Sequence, residues 1–296
     1  MIALLVMLIA SLGWATFDAA RKYLSDRIPP VALVVLLMLG QVPVFALWLG
    51  WTVHEAGLPT VEADYIAPAL LSIAINVAAN LLFLRAVSLS PLSLTIPMLS
   101  FSPAFSALLA SLPPLRESLT GYQAAGAGLV ILGALSLNAS SLVSDGLGGL
   151  GKKLLREKGV PIMLGVALLF SLSSAVDKVA QAASSPPLHA LVQCLGVGVV
   201  LMLELLRRGQ LAQLGGVLHH QRAFAGAIAA GATALGFQMT AFAVAPVSTV
   251  ETVKRAVGMT AAQIIGRVAF GEPLTVGKWV AVGLMSVGCI LILGNF

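Results

Sequence analysis

The chain has 296 residues, of which 58% are apolar and 10% charged, and its mean hydropathy is +0.98. An average soluble domain carries about 25% charged residues, so a soluble enzyme, a nucleic-acid binder and a disordered chain are excluded at the outset. The formal net charge of +5 is read as Lys and Arg in connectors facing anionic lipid, with no nucleic acid as partner.

A helix needs about 20 apolar residues to cross the ~30 Å hydrocarbon layer. Ten such segments follow one another, near 2–20, 31–51, 65–86, 90–112, 119–138, 160–180, 188–206, 223–244, 247–270 and 276–294. They are apolar all round and lack the short alternation of barrel strands. The expected class is therefore an all-α polytopic membrane protein with ten transmembrane helices.

In chain order, the first segment opens Met1-Ile2-Ala3-Leu4 with no basic residue ahead of it, and is read as a span and not as a signal peptide. It closes on Asp18. Span 3 carries Asn76 and Asn80 at i,i+4, with Arg85 one turn later; this face is a candidate cavity lining or a set of interhelical hydrogen bonds. Pro97 and Pro103 interrupt span 4, each removing a backbone hydrogen bond. Thr120 and Gln123 have capping-box spacing ahead of span 5. Gly121, Gly126, Gly128 and Gly133 suit a close helix contact, either internal or with a second copy in a homodimer. Span 6 closes on Asp177. Gln41, Gln193, Gln238 and Gln263 are solitary polar residues in apolar spans. Cys194 and Cys289 lie inside apolar runs and read as small buried hydrophobes. His54, His189, His219 and His220 are loop or helix-end residues without metal-ligand spacing. No catalytic residue, metal site or cofactor is expected, and proton coupling is left open.

Sliding the chain over itself by 155 positions superposes Ala86 on Ala241, Pro91 on Pro246, Ser93 on Ser248, Glu117 on Glu272, Leu119 on Leu274, Thr120 on Thr275, Gly128 on Gly283 and Gly133 on Gly288. The chain reads as two five-span repeats, 1–140 and 159–296, joined by a linker at 141–158. An odd span number forces the two copies into opposite orientations, an arrangement suited to alternating access.

The stretch from Phe83 through Ala110, followed by Leu115-Arg116-Glu117-Ser118-Leu119-Thr120, pairs with Ala241-Phe242-Ala243-Val244-Ala245-Pro246 and Phe270-Gly271-Glu272-Pro273-Leu274-Thr275. Each half resembles one EamA repeat of the drug/metabolite transporter superfamily, through its A-x-x-x-x-P approach to the fourth span and its later E-x-L-T signature. The resemblance implies ten helices, inverted repeats, a central cavity and secondary transport of a small metabolite. Trp14 stands in span 1, where members of the family often carry Trp, and is a candidate cavity residue. Glu117 and Glu272 are read as loop and cap residues.

Departures from the internal symmetry locate the chemistry. Ile96, Leu99 and Ser100 of span 4 correspond to Glu251, Lys254 and Arg255 of span 9. Each ion at mid-helix costs about 2.5–3.5 kcal/mol on insertion scales, and Arg255 lies roughly 12 Å along the helix from Val247 at 1.5 Å per residue. The i,i+3 and i,i+4 spacings put all three on one face with one surplus positive charge. Arg255 and Lys254 are candidate contacts for a carboxylate or phosphate, with Glu251 as their partner or a proton carrier; the alternative is an ion pair that fixes helix packing. Asp18 and Asp177 are read first as interfacial partners of Lys22 and Lys178, and second as carriers of a coupling proton.

Thirteen of the seventeen Lys and Arg fall on the side of the membrane opposite the N-terminus. The positive-inside rule then puts both termini outside, whereas the family resemblance implies termini inside; the expected location is a bacterial inner (plasma) membrane. The expected function is secondary transport of a small anionic or zwitterionic metabolite. A flippase for a polyprenyl-phosphate or other lipid-linked headgroup is the alternative, and a non-transporting membrane subunit the third reading.

Overall fold

The computed structural model describes residues 2–90, 95–118, 120–136, 157–270 and 276–293. Ten α-helices and no strand occur among the described residues. They are α1 Ile2–Ser25, α2 Pro30–Ala56, α3 Ile66–Leu89, α4 Ser102–Ala110, α5 Gly121–Ser136, α6 Gly159–Ala182, α7 Pro186–Arg207, α8 Gln221–Val244, α9 Val247–Phe270 and α10 Val276–Leu293. Among the described residues six stretches are long and apolar enough to cross a membrane: Ile2–Ser25, Pro30–Ala56, Ala63–Ala86, Gly159–Ala182, Pro186–Arg207 and Gln221–Val244. Shorter apolar helices lie at Met98–Ala110 and Trp279–Gly288. The chain is thus an all-α polytopic membrane protein. Helix α9 has 24 residues, long enough to cross, but its cluster of ions weighs against an apolar span by composition.

Local chemistry sets the helix ends. Before α5 the expected capping box forms: Thr120 N–H donates to Gln123 Oε1 (3.0 Å) and Gln123 N–H to Thr120 Oγ1 (3.3 Å). Ser185 caps α7, its Oγ accepting from Leu188 N–H (3.4 Å), with Pro186 and Pro187 in the first turn, where no N–H is needed. Helix α2 stops at Gly57: its N–H still donates to the Val53 carbonyl, and its positive φ of 82° turns the chain out of the helix.

The fourth expected span is not one α-helix. A 3-10 segment, Ile96–Phe101, precedes α4, which has nine residues. Pro97 inside this segment and Pro103 at the start of α4 lack the N–H that a continuous α-ladder would need. The connector read at 207–222 also carries a 3-10 segment, Leu211–His219. Most of the 141–158 linker, together with Pro91, Ser93, Leu119, Glu272, Leu274 and Thr275, lies outside the described residues.

The chain divides into two compact units. The first comprises Met1–Val77 and Val176–Ala245, the second Ala78–Ala175 and Pro246–Phe296. Each unit draws on both halves of the sequence, because the division falls inside α3 and α6.

In the first unit α1 packs along α8 and α2 along α7. The α1–α8 approach is close: a Cβ on Gly13 would lie 2.9 Å from the Ala234 backbone. Phe17, Leu24, Ile28, Val35, Leu37, Leu201 and Leu205 form its buried core. In the second unit α5 packs on α10. A Cβ on Gly133 would meet the Ala281 carbonyl at 2.8 Å, and one on Gly288 the Gly126 carbonyl at 2.6 Å. Gly126 and Gly133 therefore serve internal packing, whereas nothing lies within 4 Å of a Cβ built on Gly121 or Gly128.

Candidate functional site

The ions of α9 lie in the second unit. Glu251 has no exposed surface. Its Oε1 accepts from Ser174 Oγ of α6 (2.9 Å) and from Lys254 Nζ, three residues on. Its Oε2 is buried with no hydrogen-bond partner among the described residues. Lys254 keeps 15% of its side chain exposed. Arg255 Nε donates to Ser102 Oγ (2.8 Å) at the start of α4, and the Ser102 carbonyl accepts from Ser171 Oγ (2.9 Å) of α6.

Apolar helices can hold these ions because serines from α4 and α6 supply hydrogen-bond partners and the Glu–Lys pair neutralises itself. The set still carries two bases and one acid. Beside it, Pro103, Ala107, Gln123, Ala127, Ser248, Thr249 and Thr252 line a recess about the size of one water molecule.

Glu117, read from sequence as a cap, caps a distant helix: both its carboxylate oxygens accept from Val247 N–H, at 3.2 and 2.9 Å, at the start of α9. This contact pins the ion-bearing helix at its first residue.

A second polar cluster lies in the first unit, centred on Asp177 of α6. Asp177 Oδ1 accepts from Ser72 Oγ of α3 and from Gln193 Nε2 (3.0 Å) and lies 3.1 Å from His189 Nε2; Gln193 Nε2 also reaches Oδ2 at 3.1 Å. Asn76 Nδ2 donates to the Ser72 carbonyl (3.0 Å) and Oγ (3.4 Å). The Tyr65 ring stands edge-on to His189, centroids 6.0 Å apart.

Asp177 is 3% exposed and His189 0%. The Lys178 ammonium donates to the Ala245 carbonyl (2.9 Å). His189 stands in the first turn of α7, which starts at Pro186, and its side chain is turned inward. The i,i+4 spacing of His189 and Gln193 in an otherwise apolar run was the available signal.

Asp18 has different surroundings from Asp177. Its side chain is 66% exposed and lies 3.6 Å from Arg21 Nη1. Trp14 Nε1 donates to Gln238 Oε1 (2.7 Å) and packs edge-on against Phe17. Asn80 is buried, at 8% exposure, in the second unit, and Arg85 is exposed. Among the candidates, Trp14, Asp18, Asn76 and Asp177 thus belong to the first unit, and Asn80, Glu251, Lys254 and Arg255 to the second. Among the described residues no group of three or more His, Cys, Asp or Glu is arranged to hold a metal.

The profile of the EamA-like transporter family matches residues 1–139 and again 157–294. The chain belongs to the EamA-like transporter family. No curated protein matches it. Twenty-nine solved chains do. One of them, described as "Crystal structure of protein", superposes with a TM-score of 0.75 at 15% identity, covering 99% of this chain and 97% of that one. At that identity the likeness shows the fold. As an EamA-like protein the chain is an integral membrane transporter of the drug/metabolite superfamily.

Proposed function

We propose that this EamA-like protein is a secondary transporter of a small metabolite bearing a carboxylate or phosphate, and that it works by alternating access between two inverted five-helix repeats, 1–140 and 159–296. The observation that carries the cargo reading is the α9 set: Glu251 engaged by Lys254 and Ser174, and Arg255 oriented by Ser102. One acid and two bases leave a surplus positive charge in a low-dielectric setting, where an anionic group gains most from a fixed cation. Arg255 offers a planar fork to that group and Lys254 a point charge. Asn80, in the same unit as the α9 set, is the neutral polar contact of this reading. The repeats exchange which side is open, and a gradient ion carried on a buried side chain supplies the drive.

A thermal-shift screen of the purified protein against amino acids, organic acids, phosphorylated metabolites and polyprenyl phosphates tests the reading. A ligand at 100 times its Kd stabilises by about 2.7 kcal/mol. Stabilisation by soluble anions supports metabolite transport. Stabilisation by the lipid phosphates alone replaces it with headgroup flipping, and no response from any anion removes the cationic site.

A further inference from the structure

We propose that one end of the first unit, formed by the α1–α2 connector and the 3-10 segment Leu211–His219, binds anionic phospholipid, with Arg27, Arg207 and Arg208 as the phosphate contacts. This surface stands apart from the cargo reading, since none of its residues belongs to the α9 set.

The two connectors meet. A Cβ on Gly216 would lie 3.5 Å from Ile28 and 3.8 Å from the Arg27 carbonyl. Tyr23, near the end of α1, stands edge-on to His220, just past the 3-10 segment, with centroids 6.4 Å apart. Leu214 and Val217 pack on the core that holds Leu24, Ile28 and Leu205. The segment is therefore docked on the unit by an apolar side, while Leu211 and Ala212 stay exposed. An amphipathic segment that joins two membrane-spanning helices sits at the level of the lipid headgroups, where tyrosine is also favoured.

Positive charge gathers at the same end. Residues 18–30 and 204–222 together carry six Lys and Arg against three Asp and Glu. Two arrangements fix guanidinium groups there. Arg27 stacks over the Tyr23 ring, 3.8 Å from its centroid, and its Nη1 donates to the Tyr23 carbonyl. A guanidinium held this way loses little freedom when it takes a phosphate. Arg207 and Arg208 share the Glu204 carboxylate, Arg207 through two contacts of 2.9 and 3.1 Å and Arg208 through one of 2.6 Å. One carboxylate between two guanidinium groups leaves a surplus positive charge, and the two side chains are 76% and 56% exposed. Leu203 and Leu206, just ahead of this pair on α7, are exposed as well. Apolar surface that adjoins fixed cations suits a ligand with both acyl chains and a phosphate, which favours a phospholipid over a soluble anion.

Native mass spectrometry of the full-length protein tests this. Phosphatidylglycerol is titrated in, with phosphatidylcholine of the same chains as the zwitterionic reference. Phosphatidylglycerol is expected to bind more tightly. Arg27→Gln should weaken it roughly fivefold, and the triple variant Arg27→Gln, Arg207→Gln, Arg208→Gln on the order of 100-fold. The same charge removed from exposed positions of the second unit, by Arg85→Gln, Arg116→Gln and Lys158→Gln, should change binding by less than about twofold. The triple variant with Lys at the three lipid positions keeps the charge and the preference for phosphatidylglycerol, and it carries the test if the Gln variant does not fold. Glycerophosphoglycerol, the same headgroup without chains, should not compete. Equal binding of the two lipids, a Gln triple that binds as the wild type does, an equal loss in the two Gln triples, a Lys triple without lipid preference, or displacement by the free headgroup overturns the proposal.

Discussion

Removing either partner of the Glu251–Lys254 pair alone should harm the protein more than removing both. Breaking a fully buried ion pair costs about 3–5 kcal/mol, because the survivor keeps its charge in a low-dielectric site. Lys254 is 15% exposed, so after Glu251→Gln its ammonium recovers some hydration and the loss should be about 2–3 kcal/mol. Lys254→Met strands a carboxylate whose side chain is 1% exposed, with Ser174 as a neutral donor, and should cost about 3–4 kcal/mol. The double variant holds a neutral amide beside an apolar chain and should lose only about 1–2 kcal/mol. The cycle then gives a coupling energy of at least ~3 kcal/mol. The assay is reversible unfolding of the purified protein in mixed micelles, followed by tryptophan fluorescence. Single losses that sum to the double loss within ~0.5 kcal/mol, as for independent sites, would refute the argument that the pair neutralises itself.

Asp177→Asn should destabilise by about 2–3 kcal/mol, since the amide turns an NH₂ toward existing donors; Asp18→Asn, at an exposed position paired with Arg21, should stay within ~0.5 kcal/mol. Parallel unfolding curves check the contrast. Gly288→Ala should cost about 1–3 kcal/mol by forcing its Cβ against the Gly126 carbonyl, while Gly128→Ala, with open space around it, should be neutral or gain up to ~1 kcal/mol of helix propensity. Equal effects would contradict the α5–α10 packing. A tag on the N-terminus should react with an impermeant label in intact cells, as the positive-inside rule requires; labelling only after permeabilisation would reverse the proposed orientation.

Most of the fold was legible because apolar runs of membrane length are a strong and redundant signal. The breaks were legible where a residue forbids the regular ladder, as Pro97 and Pro103 do in the 3-10 segment before α4. The Thr120–Gln123 box was legible because capping is local. The Glu251–Lys254 pair was legible for the same reason, as its spacing is one helical turn. The Asp177 cluster was not. Its members come from α3, α6 and α7, and nothing in the sequence tells which of several solitary Gln, Ser and His residues share a helix face across three elements. Asp18 and Asp177 each close a span in sequence, yet one is solvated beside Arg21 and the other is enclosed by Ser72, His189 and Gln193. The division of the chain into two units was also hidden, because it cuts through α3 and α6 and leaves no mark in hydropathy.

The central claim is that the cations of α9 receive an anionic cargo, and it is tested most directly at Arg255. With the strongest anionic ligand from the screen, equilibrium binding should be compared for the wild type, Arg255→Lys and Arg255→Ala, after each variant is shown to be folded. A charge-assisted hydrogen bond is worth about 1.5–3 kcal/mol. Arg255→Ala should therefore weaken binding roughly 10- to 150-fold, with Arg255→Lys in between. Equal affinity in all three proteins would contradict the account.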